Sequence, residues 1–443
     1  MKINGFFRKA LLSSLALTML NSGCSSGIGM PPDTQTFRNA LSVSPFTEIM
    51  FRSGYSYEDE LGNKAQNLTE LQELFIKHGA NEVFVRIATA RQRYSLESAD
   101  HSLQNGVEMA KLAAKLNLPL NPEIGLFKYY GDVTGQPGPD FSEYPEIVVP
   151  KPWEQLNIDE MATILKQYGT IVARELTATG AKINTWDIGN EVNFGIAGVS
   201  VQPLPGAMDA EMGANWYQAP DAVNPEIGKQ SVYTLLTMGN ADLIKWAEVN
   251  LWPYQAKLMN ALREGILTVD PKARFSTHIT FPTNTDYAVA FFKALDKNGF
   301  QLDVAGLSFY PSASPEPRDR FAAFKATVDA IYEETKLPVF IAEYAYPAYA
   351  PDYFASGPYK DWNNKAGNYE MDAEGQAALL RDMTSWGVAH HVVGIRPWAP
   401  ELVMFGWQEF SMFSVTDLTA KALPVIDSIT NGLKEAEPAE LKD

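Results

Sequence analysis

The run "WDIGNEVNFG", residues 186–195, carries an apolar stretch into Gly189-Asn190 and then sets a carboxylate, Glu191, where a strand would stop. A second run, "LPVFIAEYAYP", residues 337–347, ends the same way on Glu343. A carboxylate at a strand end caps a helix, pairs with an arginine, or does chemistry at the mouth of a sheet. The two glutamates are 152 positions apart, so the fold decides whether they meet.

Outward from these runs, apolar and β-branched stretches recur at 46–52, 82–88, 118–126, 183–189, 274–280, 302–308, 337–343 and 391–396. Helix-period stretches lie between them, at 68–78, 103–116, 158–178, 242–266 and 373–386. Eight strand–helix alternations predict an α/β chain with a parallel sheet, and eight strands close a (β/α)8 TIM barrel. The connections are lopsided. Links into strands are short, as in "HGAN", "TGAK", "NGFQ" and "ETK". Links leaving strands are long, about 27 residues after strand 3, about 45 after strand 4 and about 28 after strand 7. Trp153, Trp216, Tyr217 and Trp362 lie in these long links, which marks them as ordered, ligand-facing loops. In a barrel, every loop that leaves a strand gathers on the C-terminal face, where active sites lie. An open doubly wound sheet is the other fold such alternation allows, but no glycine-rich phosphate loop follows an early strand.

The chain has 443 residues, 46% of them hydrophobic, enough for a large core. Its 53 acids against 36 bases give a net charge of −17, which repels phosphate backbones and argues against nucleic-acid binding. Lys2, Arg8 and Lys9 precede an apolar run from Ala10 to Leu20, the pattern of an export signal and too short to span a bilayer. The lone cysteine, Cys24, follows in "LNSGCSS", which is similar to a bacterial lipobox, although Asn21 departs from the usual residue there. An ordinary cleaved signal with an incidental cysteine is the other reading. The expected layout is a lipoprotein-type signal over 1–23, a flexible tether over 24–45 and one catalytic domain over 46–435. The chain is then exported and held at the outer membrane or cell surface by its lipid alone. HExxH and GxSxG motifs are absent and there are five histidines, so zinc-protease and serine-hydrolase chemistry find no support.

If strands 4 and 7 belong to one barrel, Glu191 and Glu343 face each other across its mouth. Two carboxylates flanking one sugar are the equipment of glycoside hydrolysis, one protonated and one ionised. At this point the chain resembles a known family. "WDIGNEVNFG" is similar to the strand-4 signature of clan A glycoside hydrolases, and most closely to family 53, the endo-β-1,4-galactanases. "LDVAGLSFYP" (302–311), "FIAEYAYP" (340–347), "GANEVFVRIA" (79–88) and "GIRPWAP" (394–400) resemble that family's motifs on strands 6, 7, 2 and 8. The resemblance implies Glu191 as general acid/base and Glu343 as nucleophile of a retaining mechanism. It implies Asn190 at the sugar 2-hydroxyl, and Arg86 and Tyr310 holding Glu343. It further implies Trp398 as the floor of the cleaved sugar's subsite and His278 on the acid/base side. Arg86 as a structural ion-pair residue, and Trp398 and His278 as core, remain alternatives from the residues alone.

Departures from the family pattern bear on the substrate. The block after strand 3, "IGLFKYYGD" (124–132), lacks the family's histidine; only Asp132 corresponds to its aspartate, while Lys128, Tyr129 and Tyr130 bring other donors. Ala399 replaces the strand-8 glutamate. Some relatives hold calcium in the last loops, and "DWNNKAGNYEMD" (361–372) offers oxygen ligands without a fixed calcium-loop spacing. No cofactor is otherwise expected. The expected activity is endo-β-1,4-galactanase. A clan A hydrolase acting on another β-glycan or in exo mode, and a non-catalytic glycan-binding lipoprotein, are the alternatives.

Overall fold

The computed structural model describes residues 36–94, 99–205, 207, 217–313, 319–349, 359 and 361–436. The expected signal segment, Cys24 and Trp216 lie outside the described residues. Among the described residues, eight parallel strands form one curled sheet. They are β1 (Arg38–Asn39), β2 (Val83–Ile87), β3 (Pro119–Ile124), β4 (Trp186–Ile188), β5 (Phe275–Ile279), β6 (Val304–Phe309), β7 (Val339–Tyr344) and β8 (Val392–Pro397). Side by side they run β1-β8-β7-β6-β5-β4-β3-β2. The two ends of that path meet: the Asn81 N–H donates to the Asn39 carbonyl at 3.0 Å, and Arg38 pairs with Glu82 at 2.7 Å. The expected (β/α)8 barrel is therefore the fold.

A helix follows each strand: α1 (Leu68–Lys77), α2 (Leu103–Leu116), α3 (Ile158–Thr177), α4 (Trp252–Leu267), α5 (Thr285–Lys297), α6 (Arg320–Thr335), α7 (Ala373–Ala389) and α8 (Ser428–Ala436). Their starts are written in the sequence. Asn67, Ser102, Asn157, Asn284, Asp319 and Asp372 each accept a first-turn backbone N–H, and Asn157 with Glu160 closes a capping box. The periodic stretch 242–266 is two helices, Asn240–Asn250 and α4. Pro253 cannot donate an N–H to the preceding turn, so the helix breaks at Leu251.

One expected strand is misplaced. Residues 46–52 hold a helix, Thr47–Arg52, and the first strand is Arg38–Asn39. The barrel therefore begins before residue 46, and a tether over 24–45 would overrun it. The physical reason is that "FTEIMFR" is too short for periodicity to separate helix from strand. The true strand is hidden by a charge: Arg38 is 2% exposed, bonds Glu82 and lies 3.9 Å from the Phe340 ring centroid.

The barrel interior is ionic as well as apolar. Arg86, Glu123, Asp187, His278 and Arg396 are all buried. Arg86 Nε donates to Glu123, while Arg396 donates to Glu123 at 2.8 Å, to Asn121 at 3.1 Å and to the Ala342 carbonyl. Below that layer, Phe340 and Ala342 cluster with Ala40 and Val304. Strict alternation would then turn Glu343 outward, towards the helices. A bulge prevents this. Ile341 pairs with Leu307 but Glu343 with the very next residue, Ser308, so Ala342 is one residue extra and Glu343 changes face.

Candidate active site

Glu191 stands on a turn that few sequences can make. Gly189 has φ 81°, and a Cβ there would lie 2.3 Å from Val192 Cγ1. Glu191 itself is left-handed, φ 47° and ψ 56°, before the short turn Val192–Phe194. A non-glycine residue in that region carries strain, which the surroundings must hold. Four contacts hold it. The Glu191 backbone nitrogen lies 3.2 Å from His278 Nε2, and the Val133 N–H reaches Glu191 Oε2 at 3.5 Å. The Asn190 amide donates to the Gly131 carbonyl at 2.8 Å, and Gln136 Nε2 donates to the Asn190 carbonyl at 2.6 Å.

Glu343 is held differently. Arg86 Nη2 donates to Glu343 Oε1 and, at 2.8 Å, to Asn190 Oδ1. The Tyr310 hydroxyl donates to Glu343 Oε2 at 2.6 Å. Both glutamates line one cavity of about 1000 Å³, with Asp132, Tyr130, Trp398 and Trp362 among its walls. The Arg86 guanidinium carbon lies 4.3 Å from the Trp398 ring centroid, so the indole covers the cation on which Glu343 depends.

The two carboxyls titrate apart. Burial, then the charge of Glu343, then that of Asp132, push Glu191 up to about 8. Burial also presses Glu343 upward, but Arg86, His278 and the Tyr310 hydroxyl outweigh it and hold Glu343 below the usual carboxylate range. At neutral pH the cavity thus presents one carboxylic acid and one carboxylate. Burial opposes a charge on His278, yet the Asp187 carboxylate at 3.2 Å raises it. Burial raises Asp132, against the bonds it accepts from Thr134.

The eight residues singled out in the sequence fall into two groups. Glu191, Glu343, Asp132, Tyr310 and Trp398 line the cavity. Arg86, Asn190 and His278 are 0%, 1% and 0% exposed and lie within the barrel: Arg86 bonds Glu343, His278 lies against the Glu191 backbone nitrogen, and Asn190 bonds Arg86. Asn190 gives one amide N–H to the Gly131 carbonyl and accepts at its oxygen from Arg86, and these bonds fix its side chain beside Glu191. Lys128, read as a donor beside the substrate, pairs with Asp140 at 2.9 Å, whereas Tyr129 and Tyr130 do line the cavity. Near the missing strand-8 glutamate, Glu401 is buried and accepts bonds from Ser44 and Thr47, which seats the helix Thr47–Arg52.

Sequence reasoning missed Glu123, Asp187 and Arg396, which steady the pair from inside. Their signal was present as charges inside apolar runs, in "LNPEIGL", "WDIG" and "GIRP". It also missed Tyr359 and Trp407, which pack with Trp362 at 5.1 and 6.2 Å between centroids. In the segment 361–372, Glu370 pairs with Lys365 and Asp372 caps α7. Among the described residues, Glu123, His278 and Glu343 cluster closely enough for a cation, but Arg86 already bonds both carboxylates there.

A (β/α)8 barrel that sets an acid on strand 4 and a carboxylate on strand 7 across an aromatic-walled cavity is built as a glycoside hydrolase. Residues 42–429 match the model of glycosyl hydrolase family 53, and the chain belongs to that family. A solved structure from work on two fungal β-1,4-galactanases is similar over 89% of this chain and 99% of its own, at 16% identity and TM-score 0.62. A family 53 catalytic domain from Ignisphaera aggregans is similar over 91% and 98%, at 18% identity and TM-score 0.63. Identities so low speak for the fold; the family match speaks for glycoside hydrolysis.

Proposed function

We propose that this chain is a retaining endo-β-1,4-galactanase. The observation that carries the reading is that Glu191 and Glu343 line one cavity, with Arg86 and Tyr310 bonded to the Glu343 carboxyl. Glu343 attacks the anomeric carbon as Glu191 passes its proton to the leaving oxygen, and a glycosyl-enzyme ester forms. Water then attacks that ester while Glu191, now the base, takes a proton from it. Retention calls for carboxyls roughly 5–5.5 Å apart, close enough for direct attack. Tyr310 and Arg86 keep the nucleophile ionised, and Trp398 offers an apolar face to the sugar ring. The fungal β-1,4-galactanase likeness and the family membership support galactan, and a cavity of about 1000 Å³ has room for more than one sugar.

Reducing-sugar release from β-1,4-galactan tests the reading. Oligosaccharide products are expected, with Glu343→Ala inactive and Glu191→Ala active only on substrates with good leaving groups. Wild-type turnover in both variants would defeat the assignment of roles. Tyr129 and Tyr130, in a block that departs from the family pattern, favour a second reading in which another β-glycan is cut; xylan and β-glucan run in parallel separate the two. Binding without turnover across the panel would favour a glycan-binding protein instead. We also infer export with a lipid on Cys24. The support is the signal-like N-terminus, and the check is palmitate labelling lost in Cys24→Ala.

A further inference from the structure

The strained turn at Glu191 needs something to hold its peptide, and one side chain outside the catalytic set is aimed at it. Gln136 lies in the loop after β3 and is 2% exposed. Its Nε2 donates to the Asn190 carbonyl at 2.6 Å and to the Asp132 carbonyl at 3.0 Å, with the Glu191 carbonyl at 3.5 Å. Its own backbone carbonyl accepts from Ser200 Oγ at 2.9 Å. Ser200 belongs to the hairpin that pairs Gly195–Ile196 with Val199–Ser200, directly after the Glu191 turn. One glutamine therefore joins the loop after β3, the turn that carries Glu191 and the hairpin beyond it.

The chemistry of the contact is selective. Three carbonyl oxygens surround one amide nitrogen, so the position demands a hydrogen-bond donor. A carboxylate there would face like partial charges, and an apolar side chain would leave the Asn190 carbonyl unpaired in a buried place. Glu191 has φ 47°, and its carboxyl receives the long Val133 contact and the Ser308 hydroxyl, with no cation among the described residues bonded to it. The peptide on either side of it therefore has a large part in its aim. Glu343, in contrast, is fixed through its carboxyl by Arg86 and Tyr310.

We propose that Gln136 is a positioning residue for proton transfer: its amide fixes the Asn190–Glu191 peptide and so aims the acid at the leaving oxygen. The proposal rests on Glu191 being the general acid. Gln136→Met keeps the volume and removes the donor. It is compared with wild type and Glu191→Ala on aryl β-1,4-galactobiosides of graded leaving-group ability, or on the aryl glycosides of whichever β-glycan the wild type cuts. Gln136→Met should slow the poorest leaving groups about ten-fold or more and the best ones less than about three-fold, since an activated phenolate departs without a proton. Gln136→Glu, a second variant for the case where the Met variant does not fold, should recover activity as pH falls and its own carboxyl regains a proton. An equal loss across all leaving groups, or no loss, would overturn the proposal and leave Glu191 in its role. If Glu191→Ala itself shows no dependence on the leaving group, the reading of Glu191 falls and this proposal with it.

Discussion

Arg86 and Glu343, 257 positions apart, are joined by a buried hydrogen-bonded ion pair, and the same Arg86 nitrogen also holds Asn190. One cation thus reaches both motifs, the residue beside Glu191 and Glu343 itself. Arg86 also bonds Glu123, its register partner on β3, so it is fixed from the side by the neighbouring strand. This arrangement makes the two glutamates unlike.

The first expectation concerns pH. Activity needs Glu343 ionised and Glu191 protonated. It should rise as Glu343 loses its proton, below the usual carboxylate range, and fall as Glu191 loses its own near pH 8. A profile of kcat/KM against pH on galactan checks both limbs. In Glu191→Gln the alkaline limb should vanish along with most activity on unactivated substrate. A wild-type alkaline limb below about pH 6 would contradict the environment described for Glu191.

Substitution of Glu191 should move stability in the opposite sense to activity. Its folded pKa lies above its unfolded value, so the folded chain binds more protons between roughly pH 4.3 and 8. The stability it contributes is complete below the unfolded pKa and is lost as pH rises towards the folded one. Glu191→Gln removes that loss, so the variant should be more stable than wild type at pH 8, with the gap closing towards pH 4. Thermal unfolding of both proteins across that range is the measurement.

Tyr310 and Arg86 should differ in what their loss costs. Tyr310→Phe removes one bond to a charged carboxylate, about 1.5–3 kcal/mol, hence roughly a ten- to hundred-fold fall in kcat. It should also raise the acid limb, because Glu343 loses a donor to its ionised form. Arg86→Leu takes the bonded cation from Glu343 and one of two from Glu123, and should destabilise the fold by about 3–5 kcal/mol. Chemical denaturation read beside kcat separates the two: Arg86→Leu should lower the midpoint further than Tyr310→Phe.

Gly189→Ala should damage the fold locally. Its φ of 81° strains any L side chain, and the new methyl would meet Val192 Cγ1 at 2.3 Å. The expected cost is about 1–3 kcal/mol from strain and crowding together, with a larger proportional loss of turnover than of stability. Hydrogen exchange at Glu191, Val192 and Asn193 should accelerate in the variant; unchanged exchange there would mean the turn is not the strained element.

The sequence by itself picked out the two glutamates that the fold brings to one cavity, and most of the scaffold. Seven of the eight strand runs, the caps of the helices and the strand-end positions of Glu191 and Glu343 are local matters of periodicity, capping oxygen and chain direction. β1 escaped because a two-residue strand with a buried arginine has no apolar pattern to read. Tertiary structure decided the rest. A single inserted residue, Ala342, turns Glu343 inward, and only pairing against both neighbouring strands reveals a bulge. Likewise Arg86, Glu123, Asp187 and Arg396 look like misplaced charges along the chain. They become one network when the ring closes, because removing several ions from water is tolerable only where each finds its opposite.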